Sequence, residues 1–150
     1  MQASSATSAA STRDLAGSLL ALWKYVAREA GSEVADLLDE LDLSLAQLKT
    51  LETLCSHPDA PSVKDLSTSL GCSLANCSRG VDALVRRGLL ERREDEHDRR
   101  VKRLSVTPAG YEAIARIDAL RLRGLEGYAA SLTEDQRTRL AEALADLPAD

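Results

Sequence analysis

At 150 residues, 44% of them hydrophobic and 29% charged, the chain has enough apolar side chains for one packed domain with a soluble exterior. No apolar run nears the roughly 20 residues of a membrane span, which excludes a transmembrane role and makes the cytoplasm the expected location. The net charge of −5 speaks against a general polyanion binder, but it is unevenly placed: residues 1–78 carry −5, residues 79–103 carry +3 and residues 104–150 carry −3. Position matters more than the sum, so the positive segment is where a polyanion would bind.

Residues 1–13, rich in Ala, Ser and Thr with neither a basic start nor an apolar centre, read as a disordered tail and not a secretion signal. From Leu15 to about Ala30, Leu15, Leu19, Leu22, Trp23 and Val26 make one apolar helical face, with Trp23 as a core anchor. Val34, Leu37, Leu38 and Leu41 either extend that helix or form a short companion. Ser44 and Gln47 form a capping box that opens a helix with Leu48, Leu51, Leu54 and Cys55 inward. That helix stops near His57-Pro58, because the residue before proline is pushed out of helical space.

Ser62 caps the next helix with Asp65 at the reciprocal position, and Val63, Leu66 and Leu70 face in. Gly71-Cys72-Ser73 is a tight turn with a left-handed glycine. Ser73 then caps a helix running to Arg87 with Cys77, Val81, Leu84 and Val85 buried. Two helices joined by such a turn are the mark of a helix-turn-helix. Gly88 ends the second helix, and residues 89–107 read as two short strands around a loop ending in Asp98-Arg99-Arg100. Leu104 and Val106 alternate there with Arg103 and Ser105, the period of a half-exposed strand. Thr107-Pro108 opens a long helix carrying Ile114, Ile117, Leu120 and Leu125 past Gly124 and Gly127. Thr133 to Gln136 is a further capping box, before Leu140, Ala143, Leu144 and Leu147 at helical spacing.

The predicted fold is mainly α with a small two- or three-stranded β wing. A winged helix-turn-helix at 44–107 lies between an N-terminal dimerisation helix region at 14–43 and C-terminal dimerisation helices at 108–150. The terminal stretches carry more apolar face than a three-helix core and wing can cover. Leu15, Leu19, Leu22, Leu125, Leu132, Leu140, Leu144 and Leu147 are therefore expected to meet a second copy in a symmetric homodimer.

On the helix from Ser73, the residues pointing away from the core are Ala75, Asn76, Ser78, Arg79, Asp82 and Arg86. Asn76 and Arg79, three apart, share a face. Asn pairs bidentately with adenine and Arg with guanine in the major groove, each worth about 1–3 kcal/mol of discrimination. Small neighbours let the backbone approach, and the helix N-terminus favours a phosphate. Ser62 and Lys64, at the start of the preceding helix, complete the candidate contacts on this side. Arg99 and Arg100 at a hairpin tip suit a minor groove, with Asp98 as the partner that orients an arginine. The run Glu94-Asp95-Glu96 weakens the local field. Gly80, mid-helix, costs about 1 kcal/mol relative to alanine and points to close packing against another helix.

Cys55, Cys72 and Cys77, an odd number, make no disulfide framework and no zinc-ligand spacing. They read as small core residues, with a thiol switch considered at Cys77, in the first turns of a helix, where a thiolate is favoured. Neither His57 nor His97 has a nucleophile or metal partner in sequence, so no catalytic residue, metal or cofactor is expected.

The order of helices, then Leu84-x-x-x-Gly88-Leu89-Leu90-Glu91-Arg92, then Asp98-Arg99-Arg100, then Leu104-x-x-Thr107-Pro108-Ala109-Gly110, resembles the MarR family of bacterial regulators from about Leu15 to Leu147. The resemblance implies a homodimeric repressor on a pseudo-palindromic double-stranded DNA operator, its interface drawn from the first and last two helices. Residues 73–79 would read the major groove, and Arg100 the minor groove with Asp98 positioning the wing. Many members release DNA when a small phenolic or lipophilic effector binds. Trp23, Tyr25, Arg28 and Tyr111 are the candidates for that contact in a chain with 3% aromatic residues and no Phe. Members that respond to cysteine oxidation usually carry the sensing thiol near the start of the first long helix, where this chain has none. Two alternatives stand beside the repressor: a winged-helix protein-interaction module with weak or no DNA binding, and a cysteine-based redox-responsive repressor.

Overall fold

The protein is described by a computed structural model covering residues 11–56, 59–95, 98 and 101–146. Its elements are α1 (Thr12–Glu29), α2 (Gly31–Glu40), α3 (Leu45–Cys55), α4 (Val63–Leu70), α5 (Leu74–Arg86), β1 (Leu90–Glu94), β2 (Lys102–Val106), α6 (Pro108–Ser131) and α7 (Glu134–Ala145). They fall into two compact units, Glu33–Leu120 and Met1–Ser32 with Arg121–Asp150.

In the unit Glu33–Leu120, α3, α4 and α5 each begin on a serine whose hydroxyl accepts from the third backbone N–H of the helix. These bonds satisfy donors that a helix start leaves open. At the end of α4, Gly71 turns the chain at φ 63 and ψ 30, where a β-carbon is penalised. Between these caps the apolar stripes converge. Leu51, Leu66, Val81, Leu84, Leu90, Leu104 and Ile117 are fully buried, each contributing about 1.5–3 kcal/mol through water exclusion.

The wing is an antiparallel pair in the register Leu90↔Val106, Glu91↔Ser105, Arg92↔Leu104, Arg93↔Arg103 and Glu94↔Lys102. Leu90 and Leu104 enter the core from one face of this ribbon. On that face Arg92 also reaches Asp82 of α5 at 2.7 Å. A bridge between Ser62 and Arg103 and a 2.9 Å bond from the Leu104 N–H to the Pro61 carbonyl attach the ribbon to the start of α4. The wing thus has two strands and a one-residue third partner.

A compact knot joins β2 to α6. The Thr107 hydroxyl donates to the Gly88 carbonyl at 2.6 Å and accepts from the Gly110 N–H at 3.1 Å, while the Thr107 N–H donates to the Leu89 carbonyl at 3.1 Å. A β-carbon at Gly110 would lie 2.3 Å from the Leu89 oxygen and 2.7 Å from Val106 Cγ1. Only glycine fits there.

In the other unit, α1 begins at Thr12, inside the stretch expected as tail. Ser11 caps it, donating from its hydroxyl to Asp14 Oδ2 at 2.6 Å and accepting from the Asp14 N–H at 3.2 Å. Residues 1–10 of that expectation lie outside the described residues. Leu15, Leu19 and Trp23, spaced by four, share one stripe and are 56%, 53% and 66% exposed. Trp23 is therefore no core anchor in the single chain. Leu22, Tyr25 and Val26 are half-buried, with the Tyr25 and Tyr128 rings edge to face at 5.3 Å. The residues Val34 to Leu41, left open between two readings, belong to the unit Glu33–Leu120 and centre on a separate helix, α2. Thr133 and Gln136 cap α7, which buries nothing.

Candidate nucleic-acid interface

Leu66 on α4 and Cys77, Val81 and Leu84 on α5 are buried in one cluster with α3, which fixes the other side of α5 as an open face. Leu74, Ala75, Asn76, Arg79 and Arg86 are exposed there, and Ser78 is half-buried. Arg79 Nη2 donates to Asn76 Oδ1. Asn76 thus steadies the guanidinium through one lone pair of its oxygen, and Arg79 keeps donors to spare. Seven positions further on, Arg86 lies on the same face about 10 Å along the helix. Ser73 accepts from the Asn76 N–H at 3.2 Å, so cap and open face meet at Asn76.

The basic segment is largely neutralised by carboxylates of its own and of neighbouring elements. Arg87 pairs with Asp42, Arg92 with Asp82, and Arg93 with Glu91. Lys102 pairs with Glu94 at 2.7 Å, and Arg103 with Asp95 at 2.6 Å. Among the described basic residues of 79–103, only Arg79 and Arg86 lack a carboxylate partner. The acidic run therefore does something other than weaken the field: Glu94 and Asp95 clamp the ribbon across its two strands. Asp95 also accepts from the Asp98 N–H at 3.0 Å, and the Asp98 carbonyl accepts from the Val101 N–H at 2.8 Å. Asp98 is exposed. Arg99 and Arg100, its expected partners, lie outside the described residues, as do His57, His97 and Leu147.

The start of α4 is tied to the wing by charge. The Ser62 hydroxyl and backbone N–H donate to Asp65 Oδ2 at 2.7 and 3.0 Å. These bonds, and more weakly Arg103 and Lys64, hold the Asp65 carboxyl below its usual range. Arg103 is raised in turn by its bond to Asp95 and by that charge. Ser62 spends its hydroxyl proton on the cap, whereas Lys64 is exposed.

Burial pushes the Cys77 thiol up to about 11, with the neighbouring Cys72 adding to the shift. A thiolate favoured by the helix start is thus overturned: loss of water outweighs the dipole. The reading of three core cysteines also fails, since Cys77 is buried, Cys55 half-buried and Cys72 exposed. No β-carbon at Gly80 would meet an atom within 4 Å, so close helix packing is not the reason for that glycine.

The effector candidates divide between the units. Trp23, Tyr25 and Arg28 belong to one, where Arg28 lies over the Tyr25 ring at 5.6 Å, and Tyr111 is exposed in the other. Of the interface candidates, Leu15, Leu19, Leu125, Leu140 and Leu144 are exposed, and Leu22 and Leu132 half-buried. The pairing of Asp95 with Arg103 went unread in the sequence. Its signal was there, as acids and bases placed to face each other across a hairpin.

Residues 41–101 match the sequence model of the MarR family. The transcriptional repressor MprA of Escherichia coli (strain K12) is 41% identical over 70 residues, which are 47% of this chain and 39% of MprA. The chain thus spans about two-fifths of the length of the first curated relatives it matches. A crystal structure of an S. aureus MepR–DNA complex aligns over 83% of this chain and 93% of its own, with a TM-score of 0.70 at 21% identity. The transcriptional regulator Tm0710 of Thermotoga maritima aligns over 90% and 92%, with a TM-score of 0.77 at 21% identity. At these identities the structural likeness concerns the fold.

Proposed function

Because residues 41–101 match the sequence model of the MarR family, we propose that this chain is a MarR-type, sequence-specific DNA-binding repressor and not an enzyme, working as a cytoplasmic homodimer on a pseudo-palindromic operator. The observation that carries this reading is the face of α5. Arg79 and Arg86 stand exposed there without a carboxylate partner among the described residues, while the other described basic residues of the segment are paired. Arg79, held by Asn76, reads guanine, since its donors match O6 and N7. Arg86 and Lys64 take phosphates, and the segment holding Arg99 and Arg100 reaches the minor groove. Exposed Leu15, Leu19, Leu140 and Leu144 pack against a second copy, which doubles the reading helix with two-fold symmetry.

Support for the DNA reading also comes from MprA, itself a transcriptional repressor, and from MepR, whose complex contains DNA. A structure of MepR bound to ethidium supports regulation by a small lipophilic effector, with Tyr25 and Arg28 the first residues to probe. No helix among the described residues is long and apolar enough to cross a membrane.

The test is a titration of the protein against DNA flanking its own gene at several salt concentrations. Affinity should fall steeply with salt. Arg79→Ala should lose discrimination at one guanine per half-site, by about 1–3 kcal/mol, and Arg86→Ala should weaken all sequences alike. Equal affinity of wild type and both variants for operator and scrambled DNA would refute the mechanism.

A further inference from the structure

Asp82 is an acid on the face of α5 that carries the unpaired arginines. Ala75, Arg79, Asp82 and Arg86 follow one another along the helix at steps of four, three and four, the spacing that stacks side chains on one face. A carboxylate thus stands three residues after Arg79 and four before Arg86. Both spacings bring opposite charges within reach, and an acid four residues ahead of a base is the favoured orientation on a helix. Left to itself, Asp82 would close on Arg86 and would repel a phosphate laid along the same face.

The carboxylate is engaged elsewhere. Arg92 Nη2 lies 2.7 Å from Asp82 Oδ1, and the two side chains are 34% and 41% exposed. In the wing register Arg92 stands opposite Leu104 and two residues from Leu90. It therefore projects from the ribbon face whose leucines are buried and reaches α5 from the core side. Partial burial leaves the pair less screened by salt than a fully exposed one. The other charged pair at this end of β1, Arg93 with Glu91, involves no residue of α5.

We propose that Arg92 is a positioning residue for DNA binding: it holds the Asp82 carboxylate off Arg79 and Arg86, so that both guanidinium groups stay free for the duplex. This role rests on the DNA-binding function proposed above. Two cations and one anion leave the stripe with a single net positive charge, and Arg92 brings it to two. A mask of this kind differs from a brace in what it requires. A brace between wing and helix needs both members of the pair, whereas a mask is needed only while the acid is there.

The experiment compares wild type, Arg92→Gln, Asp82→Asn and the double variant in salt-dependent operator titrations and in thermal melts. Arg92→Gln should bind about fivefold more weakly near 0.15 M salt, with the salt slope shallower by about one ion, the cost of one phosphate contact. Asp82→Asn should bind at least as tightly as wild type, and the double variant should return to within about twofold of it. All three variants lack the ion pair, so their melts should fall alike while affinity recovers in the double variant alone. An Asp82→Asn variant as weak as Arg92→Gln overturns the mask in favour of a brace. A double variant that stays weak overturns it in favour of a direct contact from Arg92 to phosphate. Without DNA, NMR of the guanidinium groups should show hindered Nη rotation at Arg92 in wild type and at Arg86 in Arg92→Gln. An Arg86 equally mobile in both overturns the mask whether or not the protein binds DNA. Wild type without salt-dependent operator binding refutes the DNA-binding function instead, and the NMR comparison still decides whether Arg92 keeps Asp82 from Arg86.

Discussion

Gly110, in the first turn of α6, faces the Leu89 carbonyl so closely that a β-carbon would stand 2.3 Å from its oxygen. That oxygen already accepts from the Thr107 N–H, so it cannot move aside without breaking the knot where β2 meets α6. Gly110→Ala should therefore destabilise by about 1–3 kcal/mol, as overpacking does. Thermal or urea melts would show it, and a melt equal to wild type would contradict the close approach.

Gly80 predicts the opposite sign. An added β-carbon meets nothing within 4 Å, and alanine is favoured over glycine in a helix interior by about 1 kcal/mol. Gly80→Ala should raise Tm by about 2–4 °C for a chain of this size. A fall in DNA affinity in the same variant would place the glycine against the DNA backbone.

Asp95 and Arg103 should separate stability from binding. Their pair is partly exposed, so Asp95→Asn should cost no more than about 1 kcal/mol in a urea melt. DNA affinity should fall by a larger factor, because the variant frees the wing ribbon from Arg103 and weakens the turn onto the Asp98 N–H. Equal losses in the two measurements would reduce the pair to a plain surface salt bridge.

What the sequence made legible was local. The caps at Ser44, Ser62, Ser73 and Thr133 rest on bonds three residues apart, and the helices begin where those residue types stand. The same local logic at Ser11 and Asp14 went unread, and α1 starts earlier as a result. Periodicity gave Trp23 an apolar face but not what covers it, since a stripe looks the same whether it meets a core or a second chain. The acidic run at Glu94 looked like a flaw because its partners arrive only when the hairpin closes. The Ser62–Arg103 bridge lay further out of reach, joining residues brought together by the whole fold.

The α4 cap should be acid-sensitive in a defined direction. Asp65 has its folded pKa below the ordinary 3.8, so the charged carboxylate stabilises the fold. That contribution is complete above the ordinary value and is lost as pH falls through the lower, folded one. The melting difference between wild type and Asp65→Asn should accordingly be constant at neutral pH and close once the carboxyl is protonated. A difference that persists unchanged into strong acid would assign the effect to packing and not to charge.

The bond between the Leu104 N–H and the Pro61 carbonyl, with the Ser62–Arg103 bridge beside it, makes the protein a caliper. With the Arg92–Asp82 pair joining the ribbon to α5, the DNA-binding function proposed above would give ribbon and α5 one frame, and the distance between their two holds on a duplex would belong to the protein and not to the DNA. An operator with one base pair inserted between those holds would have to bend or untwist to keep both. The resulting penalty would be paid at positions that no side chain touches.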